Sequence, residues 1–392
     1  MTTPPELMSS SLGDIGLNFD LVRNSTAALQ ERTMADDLHF VMSAIVGPII
    51  CLFGMVGNLM SIITWCRPGM RSSTGRYLIG QAVADFAVLL LFLVVDSAQQ
   101  WNPNLKFSLC YGIFFSYIGY PCFFLAIVVS IWITVGVTID RYIMVCWITK
   151  SKKFCSETRA NVGLILIAVN SFLVNLPHFA SFTVVYPDYG GGGGGNSSSS
   201  SSPSTEPQPT FKMTEFGAGS GGQFYEFWIH CIILILIPWV SVLSLNIMII
   251  NKINKSNKRM ENKKTRESMK KSKQSENQIT RLLLAVSFSF LFFIGLQCII
   301  QCFAMQKPPW ADMQMVSASF AFGKLGIVFN SSLNFVLYCL TGRRFRVELL
   351  NMLGCSKGDR LQTSSRDNSV SGSSSVSTKI STTSTISGTS GI

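Results

Sequence analysis

Charged residues are scarce in this 392-residue chain: they make up 14% of it, against about 25% in an average soluble protein. The eleven cysteines show no metal-ligand spacing, and no nucleophile or phosphate-loop motif is present. These absences exclude a soluble multidomain enzyme and leave no candidate catalytic residue. The sequence also lacks an internal repeat or a pair of interrupted helices, which disfavours a transporter or channel.

Long apolar stretches are abundant instead. Seven of them approach or exceed the roughly 20 residues that a helix needs to cross the hydrocarbon core of a bilayer. They occupy residues 39–66, 76–98, 110–146, 160–182, 224–251, 278–304 and 314–340. We therefore predict an all-α membrane protein, a bundle of seven transmembrane helices. Because no apolar run precedes His39, we expect the first span itself to target the chain to the membrane.

Basic residues are distributed unequally between the two sides of these spans. Four segments on one side contain 3, 4, 11 and 7 Lys and Arg residues in chain order, whereas the other side has only 5. Those four segments are 67–76, 146–160, 252–281 and 341–392. By the positive-inside rule, the N-terminus is predicted to be outside and the C-terminus inside. The net charge of +11 follows from this asymmetry; it indicates contact with anionic lipid and gives no support to nucleic-acid binding.

Three domains are expected from these patterns. An extracellular tail is predicted over residues 1–37, the membrane domain over 38–355, and a disordered Ser/Thr-rich cytoplasmic tail over 356–392. The second outer loop contains a Gly- and Ser-rich stretch that predicts a flexible linker without a packed core.

Three sites of modification are also predicted. Asn24 and Asn196 begin N-x-Ser/Thr sequons on the outer side, where glycosylation is feasible. The stretch Arg343–Leu353 can place its apolar residues on one helical face, which predicts a short amphipathic helix along the inner membrane surface. Cys355 follows this stretch and is a candidate palmitoylation site.

Short motifs on these spans resemble those of the rhodopsin-like (class A) G-protein-coupled receptors. They are Gly57-Asn58 in the first span, Ala82-Val83-Ala84-Asp85 in the second, Asp140-Arg141-Tyr142 at the end of the third, Pro238 in the fifth and Asn334-Phe335-Val336-Leu337-Tyr338 in the seventh. Asn330–Phe335 and Gly342–Arg346 look like the matching segments of invertebrate FMRFamide-type neuropeptide receptors.

This resemblance implies a plasma-membrane receptor that binds an extracellular ligand and activates heterotrimeric G proteins, with arrestin as a further partner. A short neuropeptide is the expected ligand, and a small environmental molecule sensed by a chemosensory receptor is the alternative. The resemblance assigns G-protein coupling to Asp140, Arg141 and Tyr142. It assigns the activation switch to Pro238, Phe290, Phe293 and Tyr338.

The sequence departs from the family pattern in several places. Phe335 occupies the position of the seventh-helix proline, and Gly295 that of the sixth-helix proline. Phe293 replaces a tryptophan. The second outer loop has no cysteine to pair with the third helix, where Ser116 lies at the expected position. We therefore do not predict the family's disulfide.

A polar network is expected at mid-membrane depth, because the carboxylate of Asp85 is costly to bury alone. Its neighbours by position are Asn58, Ser130, Asn330, Ser331 and Asn334, whose oxygen atoms suit a small hard cation. The resemblance assigns these positions to an allosteric sodium ion; no other cofactor is expected. A hydrogen-bond network without an ion, or a protonated Asp85, is the alternative.

Two further charges lie in the outer half of the spans, where the ligand is expected to bind. Asp96 is in the second span and Lys324 in the seventh, and an intramembrane charge implies a partner or a ligand group. We expect Asp96 to meet a ligand cation and Lys324 to orient it; a mutual ion pair without a ligand role is the alternative. Phe123 occupies the position where amine receptors carry an aspartate, which disfavours an amine ligand.

Overall fold

The computed structural model of the chain describes residues 34–186, 210–261, 267–306 and 313–354. The predicted glycosylation sites Asn24 and Asn196, the palmitoylation site Cys355, the Gly- and Ser-rich linker and most of both tails lie outside the described residues. Those assignments therefore stay predictions.

Seven of the described helices are long and apolar enough to cross a membrane, which confirms the predicted seven-helix architecture. We label them α1 to α7: Asp37–Trp65, Ser73–Trp101, Leu109–Cys146, Glu157–Ala180, Ser220–Ser256, Thr280–Ile300 and Ala321–Thr341. The helical backbone extends past several of these limits. It begins at Met34 before α1, reaches Glu261 after α5, covers Glu267–Gln306 around α6 and begins at Met313 before α7. The predicted helix after the seventh span, α8, runs over Arg343–Met352.

Four of the spans contain a π-helical segment, where the wider turn changes which side chains point into the bundle. The segments are Val41–Val46, Leu93–Ser97, Phe115–Gly119 and Tyr225–Leu236. Shorter helices connect the spans at Pro68–Met70, Pro103–Phe107, Ile148–Phe154 and Glu215–Ala218.

A two-stranded antiparallel hairpin between α4 and α5 was also not predicted from the sequence. Strand β1 is Phe182–Val185 and β2 is Thr210–Met213, with Phe182 opposite Met213. We call the end of the bundle that carries this hairpin the hairpin end. The opposite end, with the α1–α2 loop and the start of α8, is the basic end.

The helices form a closed bundle around an apolar core. Helix α2 packs against α1, α3, α4 and α7, and α3 packs against α5, while α6 packs between α5 and α7. Phe92, Phe290 and Val328 are among the fully buried core residues. Apolar side chains also cover the outside of the bundle, with Ile49 65% and Phe292 67% exposed. A surface of this kind is unfavourable in water and is expected of a bundle that faces lipid.

Two glycines of α1 allow α7 to approach closely. A Cβ atom at Gly57 would lie 2.8 Å from Cβ of Phe335, and one at Gly54 would overlap the Ser332 side chain. The phenylalanine at the position of the family's proline therefore packs directly on the α1 backbone.

Candidate functional site

One candidate site is a cavity of about 580 Å³ at the hairpin end. Side chains of α3, α5, α6 and α7 line it, together with residues that follow β2, and most of them are apolar. Phe123, which occupies the position of the amine-receptor aspartate, is among them. The polar lining residues are Gln223, His230, Gln297 and Lys324. A mostly apolar cavity with a few polar groups is the usual form of a ligand site, and its volume falls in the typical range of roughly 300–1,000 Å³.

Gln297 of α6 is the polar lining residue with an unused acceptor. Its Oε1 atom is buried and has no hydrogen-bond partner among the described residues. The side chain reaches α7 because residue 323 is a glycine, whose missing Cβ leaves the space that the Gln297 amide occupies. Sequence reasoning missed this residue, since a lone glutamine in an apolar span carries no motif.

The two predicted charges of the ligand region are paired with each other. Nζ of Lys324 lies 2.5 Å from Oδ1 of Asp96, and the two side chains are 35% and 14% exposed. Nε2 of His39 is a further neighbour, 3.5 Å from Nζ of Lys324. Lys324 lines the cavity, whereas Asp96 is not among its described lining residues. The other carboxylate oxygen of Asp96, Oδ2, is buried and has no described hydrogen-bond partner.

An aromatic cluster joins the hairpin to the start of α3. The ring of Phe115 stacks on Phe211 of β2 at a centroid distance of 4.3 Å and meets Phe182 of β1 edge-on at 5.3 Å. Ser116, at the place of the family's cysteine, is fully buried beside them, and the described cysteines form no disulfide. Packing of aromatic rings therefore attaches the hairpin to α3, at the place where the family's disulfide was not predicted.

The predicted polar network surrounds Asp85, which is fully buried on α2. Its Oδ1 accepts a hydrogen bond from Oγ of Ser130 at 2.7 Å, and its Oδ2 accepts one from Nδ2 of Asn334 at 2.7 Å. Ser331 is also buried near this carboxylate. Asn330 is buried on the same helix. The structure thus brings together helices α2, α3 and α7 at this carboxylate.

Gln81, which the sequence reasoning missed, completes this network. Its Nε2 donates to both oxygens of Asp85, at 3.2 and 3.1 Å, and to Oγ of Ser130 at 2.7 Å. Its Oε1 accepts from Thr134 at 3.3 Å. The signal was available, because Gln81 precedes Asp85 by four residues and therefore lies on the same face of α2.

The donor set around Asp85 has the chemistry of a sodium site. Carboxylate, hydroxyl and amide oxygens are the ligands of hard cations. The Asn58 amide donates to the Ser331 carbonyl at 3.0 Å, while Oδ1 of Asn58 is buried without a described partner. An ion would have to displace the Gln81 amide, which now satisfies the carboxylate.

The predicted switch residues lie on α5, α6 and α7. Phe290 is fully buried, and Phe293 stacks on Phe329 at 5.9 Å. Beside the buried Pro238, Nε1 of Trp239 donates to the Leu291 carbonyl of α6 at 2.7 Å. A Cβ atom at Gly295 would lie 2.9 Å from this Nε1. The glycine at the position of the sixth-helix proline therefore admits an indole that bonds the backbone four residues earlier.

At the basic end, Tyr338 is buried in an aromatic cluster with Trp65 and Phe345. Its ring lies 5.7 Å from that of Trp65, in an edge-on arrangement, and 5.4 Å from that of Phe345. Phe345 is a buried residue in the first turn of α8, and its neighbours Arg344 and Arg346 are exposed. This difference gives the first turn of α8 the two faces that the sequence predicted.

The Asp140-Arg141-Tyr142 triplet ends α3 at the basic end. Asp140 is buried, and its Oδ2 accepts a hydrogen bond from Thr74 of α2 at 2.6 Å. Arg141 lines a small cavity between α3, α5 and α6. Tyr142 is half-buried beside Trp147. Just beyond α3, burial and the nearby Asp140 raise the pKa of the Cys155 thiol to about 12.

Comparison with known proteins gives a family match over most of the chain. The profile described as 7 transmembrane receptor (rhodopsin family) matches residues 57–338. An FMRFamide receptor of Drosophila melanogaster is 24% identical over 320 residues, 79% of this chain and 53% of that receptor. An FMRFamide peptide receptor of Caenorhabditis elegans is 28% identical over 146 residues, 36% of this chain and 34% of that receptor.

A vertebrate relative is also similar. The thyrotropin-releasing hormone receptor of Homo sapiens is 31% identical over 144 residues, 36% of this chain and 34% of that receptor. The chain thus spans about half, or less, of the length of these relatives.

Proposed function

Because the chain belongs to the rhodopsin family of seven-transmembrane receptors, we propose that it binds a short peptide at the hairpin end and activates a heterotrimeric G protein at the basic end. The N-terminus is then extracellular and the C-terminus cytoplasmic, at the plasma membrane. The observation that carries the proposal is the cavity of about 580 Å³ at the hairpin end. Two similar receptors have FMRFamide in their names, which favours a peptide as the ligand.

The peptide would place an apolar or aromatic end among the apolar lining of the cavity, around Phe123. Lys324 faces this cavity and is held there by Asp96. Oδ2 of Asp96 is buried without a described hydrogen-bond partner, so it would accept from a ligand cation, such as the arginine of an Arg-Phe-amide peptide, only after the ligand displaces the groups that cover it. In this arrangement Asp96 binds and Lys324 orients the ligand.

The test is a screen of a neuropeptide library on cells that express the receptor, with a calcium or cAMP readout. Ile327→Trp adds bulk to the cavity lining, and Ile299→Trp makes the same change at a position 67% exposed on the outside of α6. At equal surface density, Ile327→Trp should lower the potency of an active peptide by about tenfold or more. Ile299→Trp should leave it unchanged. An equal response of both variants, or activation by a small odorant alone, would overturn the proposal.

Coupling is proposed to act through Arg141, because this residue lines the small cavity between α3, α5 and α6 at the basic end, where the G protein would bind. The bundle would then have two states whose balance the ligand shifts. Arg141→Ala should keep surface expression and abolish the ligand-evoked signal. A normal signal in this variant would remove Arg141 from coupling.

We also propose that Asp85, Ser130 and Asn58, with the α7 residues, hold an allosteric sodium ion. The ion would supply a positive charge that balances the carboxylate of Asp85. Agonist affinity should fall when sodium replaces a large inert cation at fixed ionic strength, and Asp85→Asn should abolish this effect. Sodium sensitivity that persists in Asp85→Asn would place the ion elsewhere and leave the Gln81-centred hydrogen bonds as the whole network.

A further inference from the structure

A second cavity, of about 90 Å³, lies at the basic end beneath the α1–α2 loop. Its walls come from the last residue of α1, that loop, the first turn of α2, and residues of α3, α6 and α8. This volume is far below the roughly 300 Å³ at which sites for drug-sized ligands begin. It suits one compact group, not a whole organic molecule.

Four arginines line this small cavity: Arg71, Arg141, Arg343 and Arg344. No acidic residue is among its described lining residues. Two carboxylates at this end have other described partners: Asp140 accepts a hydrogen bond from Thr74, and Glu348 pairs with Arg67 at 3.3 Å. Arg71, Arg343 and Arg344 are exposed, and their charges give this part of the basic end a positive potential that attracts an anion.

Trp65 adds a buried donor to this positive cavity. It is 7% exposed and lines the cavity, and its indole N–H has no hydrogen-bond partner among the described residues. The ring is fixed by Tyr338 and Phe345, with centroids 5.7 and 5.5 Å away. A buried N–H without a partner costs free energy, so a ligand that accepts this hydrogen bond would be stabilised.

The start of α2 contributes a third attraction for an anion. Ser72 lines the cavity and caps the N-terminus of α2, its Oγ accepting from the Gly75 amide at 3.0 Å. The positive end of the α2 dipole is therefore at the cavity. Arginines, an indole N–H and a helix N-terminus are all donors, and a phosphate oxygen is the acceptor that they match best.

We propose that this cavity binds the phosphate monoester of an anionic membrane lipid, such as a phosphoinositide headgroup. The source is a lipid because the cavity adjoins the end of α1, where Leu59 and Ile63 are exposed apolar residues on the bundle surface. The headgroup of a lipid beside α1 would lie at this depth. The assignment of this end to the cytoplasmic leaflet rests on the proposed topology. Since Arg141 lines the same cavity, bound lipid would also modulate coupling.

Binding is measured on the purified full-length receptor without agonist or G protein, so that failure of the proposed signalling function does not affect the result. The probe is short-chain phosphatidylinositol 4-phosphate, and short-chain phosphatidylinositol is the matched lipid without the monoester. We expect the first to bind at least about tenfold more tightly than the second. Inorganic phosphate should compete only weakly.

Three variants test the site, and one provides the control. Arg71→Gln and Arg344→Gln should each weaken binding by about tenfold, and Trp65→Phe by a few-fold without any change of charge. Arg159→Gln removes the same charge from an exposed position at the same end and should have no effect. Thermal melting of each variant verifies that the receptor remains folded.

Several results would overturn the proposal. Equal losses in Arg71→Gln and Arg159→Gln would reduce the effect to general attraction by a basic surface. Unchanged binding in Trp65→Phe would remove the indole from the site. Competition by inorganic phosphate as strong as that by the lipid would make free phosphate the ligand. Tighter binding of a phosphoserine peptide from residues 364–378 would make the receptor's own tail the occupant.

Discussion

The ion pair between Asp96 and Lys324 leads to an asymmetric mutational prediction. Lys324→Met leaves the Asp96 carboxylate, 14% exposed, without its cation. Asp96→Asn leaves the Lys324 ammonium, which is 35% exposed and retains His39 as a neighbour. Loss of one partner from a buried pair costs about 3–5 kcal/mol, and solvent screening lowers the cost for exposed groups. We therefore expect about 2–3 kcal/mol for Lys324→Met and about 1–2 kcal/mol for Asp96→Asn.

The assay is the thermal inactivation midpoint of the purified receptor, combined with surface expression in cells. The pair between Arg76 and Glu157 provides a matched control, because its atoms are 2.8 Å apart but the side chains are 39% and 37% exposed. Arg76→Met should cost less than about 1 kcal/mol. The charge-swapped receptor, Asp96→Lys with Lys324→Asp, should recover most of the expression lost in Lys324→Met.

Ligand potency at matched surface expression then separates a structural pair from a ligand site. If Asp96 binds a ligand cation, Asp96→Asn lowers peptide potency by about ten- to a hundredfold, since a hydrogen bond to a charged group contributes roughly 1.5–3 kcal/mol. Wild-type stability in both single variants would refute the structural argument. Wild-type potency in Asp96→Asn would refute the role of Asp96 in binding.

Three further predictions concern sites away from this pair. Gly295→Ala should displace the Trp239 indole and cost about 1–3 kcal/mol, measured by thermal melting; stability equal to the wild type would show that the indole contact contributes nothing. Phe211→Ala should remove about 1 kcal/mol of ring packing, which loosens the hairpin and speeds the hydrogen exchange of its backbone amides. Unchanged exchange would show that this packing does not stabilise the hairpin. Because its pKa is raised to about 12, the Cys155 thiol should stay protonated from pH 7 to 9 and react with maleimide more slowly than the exposed Cys66. The same shift favours the folded state below pH 9, and this contribution is lost as the pH rises towards 12; rapid labelling of Cys155 at neutral pH would contradict it.

The seven-helix fold was predictable because the bilayer imposes a simple requirement. A helix must present about 20 apolar residues to lipid, and this requirement appears in the sequence without knowledge of any contact. The predicted limits of the third span, 110–146, differ from the structure, Leu109–Cys146, by a single residue. The Asp85 network was predictable for a related reason, because a buried carboxylate requires donors and few polar residues are available within the spans.

What the sequence could not provide was the packing of residues without a recognisable pattern. The strands β1 and β2 are four residues each and flank the linker, so neither shows the alternation that identifies a longer strand. Their stability depends on Phe115, which belongs to a span and looks like any other lipid-facing aromatic residue in the sequence. The contact between Gln297 and Gly323 likewise depends on two helices that are adjacent only in three dimensions.

The departures from the family's motifs can be explained only when sequence and structure are considered together. The sixth helix lacks the family's proline, but Gly295 and Trp239 provide another contact at the same turn. There the Leu291 carbonyl accepts a hydrogen bond from the indole N–H of Trp239. Phe335 replaces a proline and packs on Gly57. In both cases a small residue on one helix receives a large ring from another. Substituted positions of this kind are therefore best interpreted as pairs, because the residue that compensates lies on a neighbouring helix and not within the motif.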